Sequence, residues 1–180
     1  MESFKGDEAL IHLYCGDGKG KTTAALGLAI RALGSGFRVV FVQFLKNHTT
    51  GEITVLENLP GVTVLRGKEG TAFSFAMTEE EKEKTKLLHT EHLKKAIELA
   101  GSGNCDMLVL DEAAGACNRG LIDQDLLEAF VRNKPERLEL VMTGRNPAGW
   151  MLECADYVSE IRKVKHPYDK GVPARIGIEK

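Results

Sequence analysis

A glycine-rich loop after an apolar run carries the residues of this chain that are best suited to chemistry. The loop reads Gly-Asp-Gly-Lys-Gly-Lys-Thr-Thr. Its glycines let the backbone approach an anion, and successive N–H groups can form an anion-binding nest. Lys21 can reach phosphate groups, and the Thr22 hydroxyl suits Mg²⁺. The loop therefore predicts a site for a nucleoside triphosphate, with candidate contacts at Gly16, Asp17, Gly18, Lys19, Gly20, Lys21, Thr22 and Thr23.

This loop departs from the usual pattern G-x-x-x-x-G-K-[ST] in two ways. Counting back from Gly20 leads to Cys15, so the first glycine comes one place late, at Gly16. A second lysine, Lys19, also precedes the Gly-Lys-Thr. A glycine-rich turn without a ligand is the alternative, but such a turn needs neither two lysines nor a Thr pair. The pattern indicates an unusual version of a nucleotide-binding loop.

Two more polar segments follow apolar runs and are candidate walls of the same site, because ligands bind beyond the carboxyl ends of parallel strands. Asp111 and Glu112 end one run in the form of a Walker B element, in which an acid holds Mg²⁺ directly or through water. An acidic helix N-terminus without a metal is the alternative. Arg145 is a candidate phosphate or ribose contact, although a strand-to-turn transition explains its segment almost as well. The metal candidates are Thr22, Asp111 and Glu112.

Strands and helices that could position these residues alternate along the sequence. The residues 24–33 predict a helix that starts at the Thr pair of the loop, and another helical pattern runs from Thr78 to about Ala100, opened by a capping box with Glu81. The alternation predicts an α/β fold: one P-loop NTPase-like domain over 1–180, with a mostly parallel sheet and helices on both faces. The predicted strands are 10–15, 37–44, 62–65, 107–112, 138–145 and 157–161.

Charge and composition narrow the classes of function. The chain has 180 residues and a formal net charge of −2, so no global basic field points to nucleic acid. No apolar run is long enough to span a bilayer, and residues 1–8 lack a signal-peptide pattern, which together predict the cytoplasm.

The lone cysteines and histidines have simple interpretations. The four cysteines are widely spaced, so we expect them to be buried as small hydrophobic residues. His89 and His92 lie three apart on a predicted helix and could be metal ligands, but a solvated helix face is the favoured interpretation. The cysteines are Cys15, Cys105, Cys117 and Cys154.

Taken in order, these motifs resemble the ATP:corrinoid adenosyltransferases of the P-loop type, also called cob(I)alamin adenosyltransferases. That family has the same shortened phosphate loop, with an Asn where this chain has Asp17. The similarity spans nearly the whole chain, and its loop and tail make it specific. It continues through 42–46, 109–112, 143–145, 165–171, Ala174 and 177–179.

The resemblance implies transfer of the 5′-deoxyadenosyl group of ATP to the Co(I) centre of a reduced corrinoid, with triphosphate as the leaving group. Co(I) is a strong nucleophile, so the protein needs no general base. It must orient C5′ and stabilise charge on the triphosphate, a role for Lys19, Lys21, loop N–H groups and Mg²⁺. The family also implies a reversed ATP direction along the loop and a homodimer. The corrinoid and the reductant stay open, with a flavoprotein as one candidate for the reductant.

An aromatic segment completes the resemblance. The family uses Gly-Phe-Thr-Trp to displace the lower axial ligand of cobalt, which raises the Co(II)/Co(I) potential. The matching stretch is 70–75, so the resemblance implies that Phe73 and Phe75 are catalytic and bind the corrinoid. Phe75 replaces the Trp, and Thr71 and Ala72 look like an insertion. From the residues alone, a hydrophobic staple onto the next helix is favoured.

Two other classes of function are alternatives. A P-loop small-molecule kinase usually needs a lid that carries arginine, and the segment 67–77 has Lys68 but no arginine. A nucleotide switch or partner-binding ATPase is the other, and no feature of the sequence favours it.

Overall fold

Six parallel strands form one sheet at the centre of the structure, a computed structural model that describes residues 9–46, 50–67 and 77–179. The order across the sheet is β3-β2-β4-β5-β1-β6, so the α/β fold with a parallel sheet is confirmed. The strands are β1 Ile11–Cys15, β2 Val39–Gln43, β3 Val62–Arg66, β4 Met107–Asp111, β5 Glu139–Thr143 and β6 Tyr157–Glu160.

Helices connect the strands and cover both faces of the sheet. The two predicted helices are present as α1 and α3, and α3 begins with the predicted capping box of Thr78 and Glu81. Helix α1 starts at Lys21, one residue before the Thr pair at which the sequence predicts its start. The helices are α1 Lys21–Gly34, α2 Gly51–Leu56, α3 Glu79–Gly101, α4 Ala113–Asn118, α5 Gln124–Arg132 and α6 Gly149–Cys154, with a 3₁₀ turn at Pro167–Lys170.

The core consists of two apolar layers, one on each face of the sheet. Because side chains alternate along a strand, Val39 and Phe41 of β2 face one layer while Val40 and Val42 face the other. The small residues of α1 lie in the first layer, and α3 packs in the second. All five residues of β2 and of β4 are buried, as expected for central parallel strands.

His89 corrects the expectation of a solvated helix face. Its side chain is buried, with the residue 5% exposed, and its ring lies edge-on to Phe44. Nδ1 is 2.8 Å from the Leu121 carbonyl oxygen, and Nε2 is 3.4 Å from the backbone N of Leu45. Burial lowers the pKa of His89 to about 4, so the neutral ring donates from Nδ1 and accepts at Nε2. Helix α3 directs the His89 ring towards the sheet, where it connects α3 to the segment after β2 and to the segment after α4.

Other predictions for single residues and for composition can be compared with the structure. Cys15, Cys105 and Cys117 are buried as expected, whereas Cys154 is only half-buried. Burial raises the pKa of Cys105 and of Cys117 to about 11. Within the described ranges, no helix combines the length and apolar character needed to cross a bilayer.

Candidate active site

A cleft of about 1120 Å³ opens at the carboxyl edge of the sheet, between the phosphate loop and the C-terminal segment. Its volume is sufficient for a ligand the size of ATP. The loop and the start of α1 form one wall, and the chain after β6 forms the opposite wall. Polar and charged residues that line it include Lys19, Lys21, Thr22, Thr23, Lys46, Glu52, Glu112, Arg119, Arg145, His166, Arg175 and Glu179.

The glycines of the phosphate loop are required by two different constraints. Gly16 and Gly18 lie against the chain that leaves β6, where an added Cβ at Gly18 would come 2.7 Å from the Ile161 carbonyl oxygen. Gly16 has φ of 97° and would also meet Ile161 with a Cβ. Gly20 has φ of 123° and open space beside it. The first two glycines therefore allow close packing, and Gly20 allows the turn into α1.

Lys21 is the first residue of α1 and lies almost entirely inside the loop. It is 7% exposed, and its Nζ donates a 2.7 Å hydrogen bond to the Gly18 carbonyl oxygen. Burial is the main cause that lowers the pKa of Lys21, and the nearby Arg145 charge lowers it further. No side chain among the described residues caps the N-terminus of α1, so its first N–H groups are available to an anion.

Asp111 connects three segments at the base of the cleft. Its side chain is fully buried, and its Oδ1 accepts hydrogen bonds from Thr22 Oγ1 at 2.9 Å and Thr143 Oγ1 at 2.8 Å. Lys46 Nζ lies 3.5 Å from Asp111 Oδ2. The end of β4 thus fixes the start of α1, the end of β5 and the turn after β2.

Glu112 is the acid that this segment presents to the cleft. Its backbone has a left-handed φ of 62°, and its N–H donates to Thr143 Oγ1 at 2.9 Å. This conformation costs a non-glycine residue on the order of 1 kcal/mol or more, which the surrounding contacts must offset. Burial is the main cause that raises the pKa of Glu112, followed by the Asp111 charge, while Lys46 opposes the shift. A carboxylate in this environment is stabilised by an added cation.

These oxygens fit a magnesium ion better than a metal held by the protein alone. Thr22, Asp111 and Glu112 supply a hydroxyl and two carboxylates, the hard donors that Mg²⁺ prefers. Within the described ranges, no group of three or more His, Cys, Asp or Glu could hold a metal ion. Mg²⁺ usually takes only one or two carboxylates and completes its shell with phosphate oxygens and water.

Most of the predicted site residues meet at this cleft. Asp17 is not among the lining residues; its Oδ1 accepts a 2.9 Å hydrogen bond from the backbone N of Lys163. Asp111 lies behind the cleft, and Gly16 lies against Ile161. Phe73 and Phe75 are outside the described residues. The predicted residues that line the cleft are Gly18, Lys19, Gly20, Lys21, Thr22, Thr23, Glu112 and Arg145.

The sequence did not predict the cleft residues that come from segments other than those directly after β1, β4 and β5. Lys46 and Glu52 approach from the segment after β2, and Arg119 from the end of α4. Arg175 and Glu179 approach from the C-terminal segment. The tail motif was a usable signal, since 165–171 and 177–179 carry part of the family resemblance, but no regular pattern placed them near the loop.

Comparisons with known proteins agree on the family and on the fold. Residues 7–179 match the family model described as ATP:corrinoid adenosyltransferase BtuR/CobO/CobP. The chain is 34% identical over 174 residues to the corrinoid adenosyltransferase of Escherichia coli K12, covering 96% of this chain and 86% of the relative. It is 31% identical over 176 residues to that of Pseudomonas aeruginosa, covering 97% and 85%.

Similarity to a solved structure concerns the fold alone. The flagellar accessory protein FlaH from Methanocaldococcus jannaschii superimposes with a TM-score of 0.55 at 16% sequence identity. The match covers 84% of this chain and 70% of that one.

Proposed function

This chain belongs to the family of ATP:corrinoid adenosyltransferases, and we infer that it transfers the 5′-deoxyadenosyl group of ATP to the Co(I) centre of a reduced corrinoid. The match over residues 7–179 carries this conclusion. The cleft supports it, because cations and free helix N–H groups gather where a triphosphate would lie.

The residues of the cleft act on the leaving group. In the transfer, the electron pair of Co(I) forms a bond to C5′, the C5′–O bond breaks, and its electron pair leaves with the triphosphate. Lys19, Lys21 and Arg145 line the cleft and stabilise the negative charge that grows on that oxygen. We propose that the first-turn N–H groups of α1 bind the same group, together with Gly20, Thr22 and Thr23. Gly18 also lines the cleft, but its N–H donates to the Ile161 carbonyl oxygen.

Mg²⁺ is proposed at Thr22, Asp111 and Glu112. When bound, it neutralises part of the charge of the triphosphate. The protein's own part is to hold the three oxygens: Thr143 positions both acids, through Asp111 Oδ1 and the Glu112 N–H.

The corrinoid side of the reaction is proposed from the family resemblance. Phe73 and Phe75 would displace the lower axial ligand of cobalt and exclude water. Their segment connects the carboxyl end of β3 to α3, and β3 ends at the same edge of the sheet as the phosphate loop. A homodimer, a flavoprotein reductant and a cytoplasmic location stay predictions of the same kind.

Identification of the leaving group tests the function. The protein is mixed with ATP, Mg²⁺, a chemical reductant and cob(II)alamin, absorbance follows the corrinoid, and phosphorus NMR identifies the phosphate product. We expect an adenosylcorrinoid and triphosphate in equal amounts. ADP or orthophosphate as the product would instead indicate the kinase or ATPase alternatives.

A further inference from the structure

The C-terminal segment 161–179, here called the cap, forms the wall of the cleft opposite the phosphate loop. It follows β6 directly, and seven of the cleft-lining residues, from His166 to Arg175, belong to it. This wall consists of a 3₁₀ turn, further turns and irregular chain. Its position therefore depends on individual contacts with the rest of the protein.

Two hydrogen bonds attach the cap to the phosphate loop. The Gly18 N–H donates to the Ile161 carbonyl oxygen at 2.7 Å, and the Lys163 N–H donates to Asp17 Oδ1 at 2.9 Å. The backbone hydrogen bond to Lys163 is the main cause that lowers the pKa of Asp17, so the carboxylate is charged at neutral pH. Lys163 Nζ continues the connection with a 3.0 Å ion pair to Asp169.

At the far end of the cap, an arginine lies at the cleft. Arg175 and Glu179 form a two-pronged ion pair, with Nε 3.1 Å from Oε2 and Nη2 2.8 Å from Oε1. These bonds lower the pKa of Glu179 to about 2, and the charge of Lys19 contributes to the shift. Both residues line the cleft, so the pair lies near the loop that binds phosphate.

The charges of the cleft favour exchange of this ion pair for a triphosphate. Lys46 is already between Asp111 and Glu52, at 3.5 and 3.7 Å. Arg175 has 58% of its side chain exposed, and an exposed pair of this kind contributes little stability. A guanidinium binds phosphate oxygens in the same two-pronged way as it binds a carboxylate.

We propose that Arg175 is a triphosphate-binding residue carried by the cap, and that Asp17 is a positioning residue that holds the cap against the phosphate loop. The proposal rests on the proposed function, because it concerns the group that leaves in that reaction. Asp17 then acts on ATP through the backbone that it holds. Before the triphosphate binds, the guanidinium of Arg175 forms its ion pair with Glu179.

Binding measurements on matched variants test the role of Arg175. Calorimetry gives the Kd of ATP and of inorganic triphosphate for the wild type, Arg175→Gln, Glu179→Gln and Arg132→Gln. Arg132 is the control, since it also forms an ion pair with a glutamate four residues away, on α5 outside the cleft. We expect binding of both ligands to weaken about tenfold or more in Arg175→Gln, to stay unchanged in Arg132→Gln, and to tighten in Glu179→Gln.

The outcomes separate this proposal from the function itself. If the wild type binds neither ATP nor inorganic triphosphate, the proposed function fails. If the wild type binds both and Arg175→Gln matches Arg132→Gln, Arg175 has no part in triphosphate binding. Weaker binding by Glu179→Gln would contradict the exchange of ion pairs.

Tryptic cleavage tests the role of Asp17. The cap contains exposed basic residues, among them Arg162, Lys165 and Lys170, at which trypsin can cut. Asp17→Ala removes the acceptor of the Lys163 N–H, whereas Asp17→Asn keeps an oxygen there. We expect trypsin to cut the cap of Asp17→Ala several-fold faster than the cap of the wild type. In Asp17→Asn, protection of the cap by bound ATP should return to the wild-type level. Circular dichroism should be unchanged in both variants. Equal cleavage of all three proteins would overturn the positioning role.

Discussion

At the scale of single residues, Lys21 shows how the phosphate loop prepares for its ligand. The ammonium is already withdrawn from water and donates to the Gly18 carbonyl oxygen. A phosphate oxygen carries a full negative charge where the carbonyl offers only a dipole, so the ligand is a stronger partner. If Lys21 binds the triphosphate as proposed, much of its desolvation has taken place beforehand, which is the preorganisation that favours charge stabilisation in a reaction.

The aromatic pair gives a prediction about reduction of the corrinoid. We expect Phe73→Ala to leave the Kd of ATP nearly unchanged and to reduce adenosylation sharply when cob(II)alamin must be reduced on the enzyme. The physical reason is that a smaller side chain no longer displaces the axial ligand. Phe37→Ala is the matched control, because Phe37 is an exposed aromatic residue before β2, at the opposite edge of the sheet. A large loss of ATP affinity in Phe73→Ala would indicate a packing role instead.

His89 gives a prediction about stability and pH. Its folded pKa of about 4 lies below the ordinary value of 6.5, so the unfolded chain binds a proton more readily. Stability from this group is full above pH 6.5 and is lost as the pH falls towards 4. Linkage gives a loss of about 2 kcal/mol between pH 7 and pH 5. Urea unfolding at several pH values gives the free energy of unfolding of the wild type and of His89→Gln. Between pH 7 and pH 5 this free energy should fall more steeply with falling pH in the wild type, and parallel profiles of the two proteins would contradict the prediction.

At the scale of elements, the phosphate loop depends on β6 as much as on β1 and α1. The chain leaving β6 contacts the loop at Gly16 and Gly18 and accepts a hydrogen bond from it. Sequence motifs describe this loop as a strand, a turn and a helix N-terminus, three neighbours along the chain. The fourth neighbour comes from more than a hundred residues later.

Gly18→Ala tests that contact. The added Cβ would lie 2.7 Å from the Ile161 carbonyl oxygen and 2.8 Å from the Arg162 backbone, atoms that move only with the chain. We expect a loss of about 1–3 kcal/mol in the free energy of unfolding, measured in urea. Gly27→Ala is the control, since Gly27 lies in α1 with open space around it and should gain up to about 1 kcal/mol. Equal stability of the two variants would contradict close packing of the loop.

Elements that local patterns specify were predictable, and elements that packing specifies were not. Helix α3 has a capping box that is visible in the sequence, and β2 and β4 are continuous apolar runs. Helices α2, α4 and α6 have six residues each, and no side chain of the described residues caps them. Such short helices are held by burial of Ile53, Ala113 or Met151 against the sheet.

At the scale of the whole molecule, Asp111 connects the proposed metal site to the start of α1, through the hydrogen bond that it accepts from Thr22. We expect the Mg²⁺ affinity of the ATP complex to fall about tenfold or more in Asp111→Asn, because a neutral amide replaces a carboxylate that holds the metal ligands. Calorimetry measures the binding of Mg²⁺ to the ATP complex, and measurements with EDTA give the binding of ATP without the metal. Asp106→Asn is the control, since Asp106 pairs with Arg38 at the amino edge of the same strand. Equal Mg²⁺ dependence in both variants would contradict a metal role for Asp111.

The sequence predicted the residues of the candidate site only where they lie at the carboxyl end of a strand. Parallel strands bring Asp111, Thr143 and the phosphate loop to one edge, so the sequence placed them together. His89 lies on the buried side of α3, four residues from both Thr85 and Leu93, whereas no periodicity could place Arg175. The first depends on which side of α3 faces the sheet, and the second on the path of a segment with no regular strand or helix pattern.

The position of β1 between β5 and β6 affects the order in which the parts of this protein fold during synthesis. Chains grow from the N-terminus, and early segments begin to fold during synthesis. Yet the two described strands that pair with β1 both come from the last third of the sequence, and its loop packs against Ile161 and Lys163. The phosphate loop is therefore synthesised before the strands and the segment that complete it. A nascent chain cannot assemble this site until residue 163 has been made.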